Sequence, residues 1–272
     1  HLCQKWHLNQ YSLILNILGL QPFRYVLAKL FYNIKSIYLN RKKTEIDNKG
    51  YLIIEQFLPQ KEFEKVLKES CLAFQNPAVS RNYKDYGDGV EVKHVYLNDS
   101  IKILYPKLYA FYINNKINHL FQTYELKKDF NLFAMAEELK SKKSSEDDKS
   151  KSFHYDTYHN TFKAWFYLED VNLDNSPLNY LDYSHKFSFK RAVDEWAASI
   201  KYSFLKNKKD YIYGSLLKQN FNSDRNLKKF TLKKNTLLFA NTHAFHRRGN
   251  AKQDAQRNTI HFYTRENPFK YF

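Results

Sequence analysis

The chain has 272 residues, 43% hydrophobic and 17% aromatic, with only six Gly and six Pro. That composition can bury the core of one large domain and excludes collagen-like, repeat and disordered classes. A formal net charge of +16 points to anionic partners (nucleic acid, anionic lipid or a polyanionic glycolipid) without choosing among them. The two cysteines, Cys3 and Cys71, give neither a disulfide framework nor a metal-site spacing, so a reducing compartment, the cytoplasm, is expected.

Residues 1 to 43 carry seven Lys or Arg and no acid, the first being Glu45. Pro22 suits the first turn of a helix. Beyond it Phe23, Val26, Leu27, Leu30, Phe31, Ile34, Ile37 and Tyr38 recur at three- and four-residue spacing, which predicts a basic amphipathic helix within a segment 1–45 that precedes the main domain, 46–272. Two readings stay open. The helix is a membrane-surface anchor, each basic residue near an anionic leaflet contributing on the order of 1 kcal/mol, or it packs its stripe on the domain with its charges solvated. The run Tyr11 to Leu20 falls short of the roughly 20 apolar residues of a spanning helix, and no small-residue cleavage site follows it.

Asp47-Asn48-Lys49-Gly50 reads as a turn and Tyr51 to Ile54 as a strand. Pro59 opens a helix with Phe63, Val66, Leu67 and Leu72 on one face. Residues 78–89 read as loop, Val90 to Leu97 as a strand, Ile101 to Phe121 as one helix or two with Leu104, Leu108, Phe111, Tyr112, Ile117 and Leu120 buried, and Asn131 to Ala136 as a strand. Lys140 to Lys151 holds no apolar residue and is expected to be a mobile loop, either a lid or a surface excursion. Lys163 to Leu168 and Leu178 to Leu181 read as strands, with Asp182 to His185 as a turn. Residues 188–220 read as helix and loop with Val193, Trp196, Ile200 and Phe204 on one face. Between Lys201 and Lys234 ten Lys or Arg face only Asp210 and Asp224, a second basic patch. Thr236 to Ala240 and Thr259 to Tyr263 are strands flanking a turn at Gly249-Asn250.

The chemistry centres on Phe153-His154-Tyr155-Asp156, where an imidazole and a carboxylate lie two residues apart near the end of an extended stretch. His-x-Asp alone is a weak signal, and a third ligand must come from a distant strand; His243 and His246 are the candidates. Two His and one carboxylate on one face of an octahedron is the arrangement of non-haem Fe(II) oxygenases. Zinc is the competing metal, although it favours tetrahedral closure and no HExxH motif is present. Arg257, Thr259, His261 and Tyr263 share one face of the last strand by period two, and Arg257 suits bidentate capture of a 2-oxoacid's distal carboxylate, with Thr259 adding a hydroxyl. The remaining histidines read as neighbours of the site or as structural: His159, His185, His261, His94 and His119.

The series Gly50-Tyr51-Leu52-Ile53-Ile54 with Phe57-Leu58, Phe153-His154-Tyr155-Asp156, Trp165 to Val171, Ser184-His185-Lys186, and His246, Gly249, Asn250 and Arg257 resembles, in order and over about residues 48–265, the phytanoyl-CoA dioxygenase type of Fe(II)/2-oxoglutarate oxygenases. The resemblance implies a mainly β fold with surrounding helices, built on a double-stranded β-helix (jelly-roll, cupin-like) core. It implies Fe(II) held by His154, Asp156 and His246, 2-oxoglutarate held by Arg257 and O2 as the second co-substrate, with hydroxylation of a substrate C–H. Asp156 excludes the halogenase variant, which has a small residue there. Departures are local: Ser176-Pro177 stands where the family tends to have Gly-Pro, and Asp182-Tyr183-Ser184-His185 where it has Pro-Gly-Ser-His.

The two basic regions suggest an anionic substrate at a membrane surface. In this the chain is similar to the membrane-associated dioxygenases that hydroxylate the Kdo sugar of lipid A precursors, which implies a peripheral location on the cytoplasmic face of the inner membrane. A soluble dioxygenase acting on a small metabolite or acyl-CoA is the alternative. A non-catalytic nucleic-acid-binding protein is favoured by net charge alone, with no zinc-finger or RRM signature.

Overall fold

Strict side-chain alternation along the strands sorts the sequence into an apolar face that takes helices and a polar face that builds a site. The computed structural model describes residues 13–83, 90–142, 153–204, 226–264 and 267–269. In chain order it forms α1 (Leu13–Ile17), α2 (Leu20–Tyr38), α3 (Glu45–Lys49), β1 (Tyr51–Ile54), α4 (Gln60–Gln75), β2 (Ser80–Tyr83), β3 (Val90–Leu97), α5 (Pro106–Tyr112) and α6 (Asn115–Glu125). There follow β4 (Phe133–Ser141), β5 (Phe162–Tyr167), β6 (Leu178–Leu181), α7 (Phe189–Ser203), β7 (Leu227–Lys229), β8 (Thr236–Asn241), β9 (His246–Arg248) and β10 (Gln256–Tyr263).

Seven strands form one antiparallel sheet in the order β1-β8-β5-β10-β4-β3-β2, and β7-β6-β9 form a smaller one. In the large sheet Ile260 of β10 lies opposite both Ala136 of β4 and Phe166 of β5. Directly opposed residues project to the same side, so these side chains share one face with Phe239, Phe162 and Phe262. That face packs on Phe63 of α4, Leu108 and Phe111 of α5, and Ile117 and Phe121 of α6, all buried. Phe166 sits at its centre, its ring 4.5 Å from that of Phe111 and 6.0 Å from those of Phe57 and Phe63. Burying each such side chain stabilises the fold by about 1.5–3 kcal/mol. The double-stranded β-helix expected from the sequence is the fold observed.

Several elements depart from expectation for local reasons. The turn at residues 47–50 is the end of α3, a helix that Thr44 opens through a capping box with Asp47. Residues 80–83 pair with β3 as an edge strand where a loop was expected. Strand β4 runs five residues past Ala136, to Ser141, because β3 and β10 flank it over that length. Residues 143–151 of the polar run lie outside the described residues, as do 205–225 of the second basic stretch. Leu72 and Leu104 are exposed, and Ala73 and Phe74 complete the buried face of α4.

The helices α2 and α7, which pack on each other, are turned opposite to their apolar pattern. In α7 the buried residues are Arg191, Ala192, Glu195, Ser199 and Tyr202, while Val193, Trp196 and Phe204 are exposed. Arg191 draws that face inward: it donates to Ser184 O and, at 2.9 Å, to His243 O, and its guanidinium lies 4.4 Å from the Tyr155 ring centre. In α2 the buried residues are Gln21, Tyr25 and Ala28. Lys29 reaches into the domain, donating to Asn160 Oδ1 at 2.6 Å and His185 O at 2.8 Å. Its burial, reinforced by the nearby Arg191, pulls its pKa well below the usual lysine value. Bonds made in a buried setting fix these helices more tightly than their greasy stripes do.

Turn geometry explains the sequence departures. Gly50 has φ 95°, and a Cβ there would meet the Tyr180 hydroxyl at 2.3 Å and His185 Nδ1 at 2.7 Å. The Tyr180 hydroxyl is placed 2.9 Å from Gly50 O, so the contact is part of the join between α3 and β6. Ser176 and Tyr183, which stand where glycine is usual, both hold left-handed backbone, φ 62° and 64°. A non-glycine residue there costs about 1–2 kcal/mol, and glycine recovers it less its own roughly 0.5–1 kcal/mol of backbone entropy. Tyr183→Gly is therefore expected to raise stability by about 0.5–1 kcal/mol, whereas Gly50→Ala is expected to lower it by roughly 2–4 kcal/mol. Urea denaturation of the two variants checks both signs.

Candidate metal centre and co-substrate pocket

A reciprocal backbone pair brings the two ends of the candidate triad together. His154 N–H donates to His246 O at 3.0 Å and His246 N–H to His154 O at 2.8 Å, while Asp156 N–H donates to Thr242 O at 2.9 Å. Tyr180 of β6 flanks His246 on its other side. Opposed residues of an antiparallel pair project to one side, as does the residue two further along. The result is a cluster of His154, Asp156 and His246 in which one donor atom from each lies within 4.8 Å of the others. The imidazole centres are 4.7 Å apart, and His246 Nε2 is 3.9 Å from Asp156 Oδ1.

The electrostatics suit a cation. His246 Nδ1 donates to Ala244 O at 2.9 Å, which fixes the tautomer and leaves the Nε2 lone pair toward Asp156. Burial, opposed by the Asp156 charge, lowers its pKa to about 4, so the ring is neutral at physiological pH. Burial works to raise the Asp156 pKa, but Lys163 first, then His246 and His154, outweigh it and hold the carboxyl well below the usual carboxylate range. Lys163 of β5 lies 2.7 Å from Asp156 Oδ2. It pins that oxygen and leaves Oδ1 on the His246 side, an arrangement that favours a single-oxygen ligand.

The second part of the site follows from strand register. Thr259 of β10 lies opposite Glu137 of β4 and Tyr167 of β5, and His261 opposite Met135 and Trp165. Arg257 is buried on this face, donating to Ser176 O and, at 3.0 Å, to Glu137 Oε1. Its Nε is buried with no hydrogen-bond partner, a deficit worth about 1–3 kcal/mol that an incoming carboxylate oxygen can satisfy. Glu137 also pairs with His94 at 3.0 Å, and His261 Nε2 lies 3.7 Å from it. Burial raises the Glu137 pKa, but His261, His94 and Arg257 together hold it well below the usual range. The Thr259 hydroxyl is 2.7 Å from His261 Nε2.

His243, the rival third ligand, is fully buried away from the cluster. Its Nδ1 pairs with Thr157 O at 2.8 Å and its ring lies 5.5 Å from that of Tyr25. His159 pairs with Asn160 O at 2.9 Å and His185 with Asp47 O at 3.1 Å. The sequence reading missed Lys163 and Glu137 and took His94 as structural. Only the pairing of β4 and β5 with β10 reveals them; the one local signal was that Lys163 interrupts the otherwise apolar strand Phe162–Tyr167.

The fold is that of a known group of enzymes. The structure of the epimerase SnoN from nogalamycin biosynthesis, in complex with Fe3+, alpha ketoglutarate and nogalamycin RO, superposes with a TM-score of 0.54 at 13% identity, covering 80% of each chain. Apo EctD from S. alaskensis gives 0.51 at 11% identity, covering 82% of this chain and 80% of its own. A search of curated protein sequences gives no match. The family model described as Phytanoyl-CoA dioxygenase (PhyH) matches residues 46–259, and the chain belongs to that family. It is a 2-oxoglutarate-dependent oxygenase, with iron as its metal and 2-oxoglutarate and O2 as co-substrates.

Partners around a ligand that orient it typically change metal affinity 10- to 100-fold. Lys163→Met is accordingly expected to weaken divalent-metal binding by about tenfold or more and, by leaving the Asp156 carboxylate without its partner, to lower the thermal transition of the metal-free protein. Titration with Co(II), followed by its visible absorption, measures the first; circular dichroism measures the second.

Proposed function

We propose that His154, Asp156 and His246 hold Fe(II), that Arg257 and Thr259 hold 2-oxoglutarate, and that the enzyme hydroxylates a C–H of an anionic, membrane-associated glycolipid such as the Kdo sugar of a lipid A precursor. The observation that carries the chemistry is the convergence of two imidazoles and one carboxylate, beside a buried arginine whose Nε has no hydrogen-bond partner. Iron loaded with 2-oxoglutarate supplies O2 activation, converting the co-substrate to succinate and CO2 as the substrate C–H becomes C–OH.

This chain's residues do the positioning. The Ala244 carbonyl fixes the His246 tautomer, Lys163 fixes one Asp156 oxygen, and Ser176 O holds one arm of Arg257. Arg257, with an Nε that has no hydrogen-bond partner and an NH2 arm on Glu137, would hold the distal carboxylate. Glu137 then keeps His94 and His261 as partners.

The substrate reading is supported by charge: no acid precedes Glu45, and Lys201, Lys228 and Lys229 are exposed in the described part of the second basic stretch. It places the enzyme on the cytoplasmic face of the inner membrane. A soluble acyl-CoA hydroxylase is the second reading, favoured by the family's own description; the phosphates of CoA also match the basic balance.

Succinate release with Fe(II) and 2-oxoglutarate, screened over Kdo-bearing lipid A precursors, acyl-CoAs and small metabolites, decides between them. Kdo-lipid-dependent succinate formation that falls at least a hundredfold in His246→Ala is expected; acyl-CoA dependence alone selects the second reading, and activity kept in His246→Ala contradicts the ligand assignment. Glu137→Gln removes a carboxylate from beside the incoming one, so the KM for 2-oxoglutarate is expected to fall about threefold or more at ε near 20. A rise in KM would instead show that Glu137 is needed to aim Arg257.

A further inference from the structure

The sheet face that carries Arg257 and Thr259 continues past them toward the far end of β10. Tyr263 lies four residues beyond Thr259 and so projects to the same side. It stands opposite both Lys163 of β5 and Phe133 of β4, and opposed residues of antiparallel strands share a face. One row inward, Met135 stands opposite both His261 and Tyr96 of β3. Contacts lead from the candidate metal ligands to this end of the sheet. Lys163 Nζ is 2.7 Å from Asp156 Oδ2 and 5.9 Å from the centre of the Tyr263 ring. That ring is stacked on Phe133, with 5.7 Å between centres and 18° between planes. Phe133 is nevertheless 49% exposed, a flat aromatic surface braced from one side and open at the other.

Phe133 and Tyr263 form part of the wall of a hollow of about 610 Å³ at the strand ends, whose other lining residues include Tyr96, Asn98, Asn118 and Asn131. Its size is that of a small-molecule site. In a chain with 44 Lys or Arg and 28 Asp or Glu, none of the described residues that line it is charged. Rings and amides together are what a sugar calls for. The C–H face of a pyranose lies flat on an aromatic ring through dispersion and weak C–H contacts. Each amide brings both donors and an acceptor to hydroxyl groups, which also play both parts. Asn98 Oδ1 accepts from Ser100 N at 2.9 Å, which leaves its NH2 group as the donor. The other candidate occupants fit less well. The phosphates of a coenzyme need cations around them, and an acyl chain would bury the amides against carbon.

We propose that this hollow is a carbohydrate subsite, in which a sugar ring of the substrate stacks on Phe133, backed by Tyr263, and turns its hydroxyls to Asn98 and Asn131. Phe133 is then a specificity-determining residue of the oxygenase, reached from the metal centre through Lys163 and Tyr263. That the sugar belongs to a glycolipid rests on the reading given above. The subsite narrows that reading, because the protein grips the uncharged body of the sugar here and not a phosphate or a lipid chain.

Anaerobic calorimetry on the full chain loaded with Fe(II) and 2-oxoglutarate tests it with two probes, the deacylated Kdo-bearing glucosamine disaccharide of a lipid A precursor and coenzyme A. The wild type is expected to bind the oligosaccharide. Phe133→Leu, which keeps apolar bulk and loses the ring, is expected to weaken that binding about tenfold or more, while Phe133→Trp stays within about threefold of the wild type. A merely structural role would favour the smaller leucine over the larger tryptophan, the reverse order. Ile103→Ala, at a 90% exposed position outside the hollow, is expected to bind as the wild type does. A wild type that does not bind the oligosaccharide, a Phe133→Leu protein that binds it unchanged, or coenzyme A bound more tightly and in a Phe133-dependent way would each overturn the proposal. Oligosaccharide-dependent succinate formation, measured in air on the same proteins, separates the subsite from the substrate reading. If that turnover and the binding are both unchanged in Phe133→Leu, the subsite falls and the glycolipid substrate stands; if Phe133-dependent binding is found with no such turnover, the subsite stands and the glycolipid substrate falls.

Discussion

The reciprocal backbone pair between His154 and His246 is the constraint on which the site depends. It joins the segment after the polar run to strand β9, which is itself held by β6, and sets two imidazoles side by side. The large sheet supplies Lys163 against Asp156, and Tyr180 of β6 reaches across to Gly50 O. The Ser184 hydroxyl, next to His185, accepts the Phe245 N–H just before β9.

The polar face of the large sheet is an electrostatic device assembled from four strands. Its charges are balanced in pairs, Lys163 with Asp156 and Arg257 with Glu137, so each buried ion has a partner before any ligand arrives. Unpaired, each would carry a penalty of several kcal/mol. Among the described residues the Nε of Arg257 is buried without a hydrogen-bond partner, and in the function proposed above a carboxylate of the co-substrate meets it there.

Much of this was legible in the sequence, and the parts that were not share a cause. Strands Val90–Leu97 and Leu178–Leu181 were readable to the residue because alternation and turn residues bound them. His154, Asp156, Arg257 and Thr259 were readable because period two fixes which side chains share a face. The sequence left His243 and His246 both as candidates, and only the cross-strand pair brings His246 beside His154 and Asp156; Glu137 and Lys163 emerge only from register, which involves strands far apart in the chain. The sequence left open which way the α2 stripe turns and put Val193, Trp196, Ile200 and Phe204 on one face of α7 without saying where that face lies. Periodicity identifies an apolar stripe but cannot say that Arg191, Lys29 and Gln21 have buried partners waiting on the other side.

The central claim is that three side chains hold iron beside an arginine that holds 2-oxoglutarate. Anaerobic titration of the metal-free protein with Fe(II), then 2-oxoglutarate, reads it directly through the visible charge-transfer absorption of a chelated 2-oxoacid. The account predicts a one-to-one band in the wild type, lost in Asp156→Ala and needing much higher 2-oxoglutarate in Arg257→Ala. A wild type without the band, or an Asp156→Ala protein that keeps it at the same concentrations, would contradict the account.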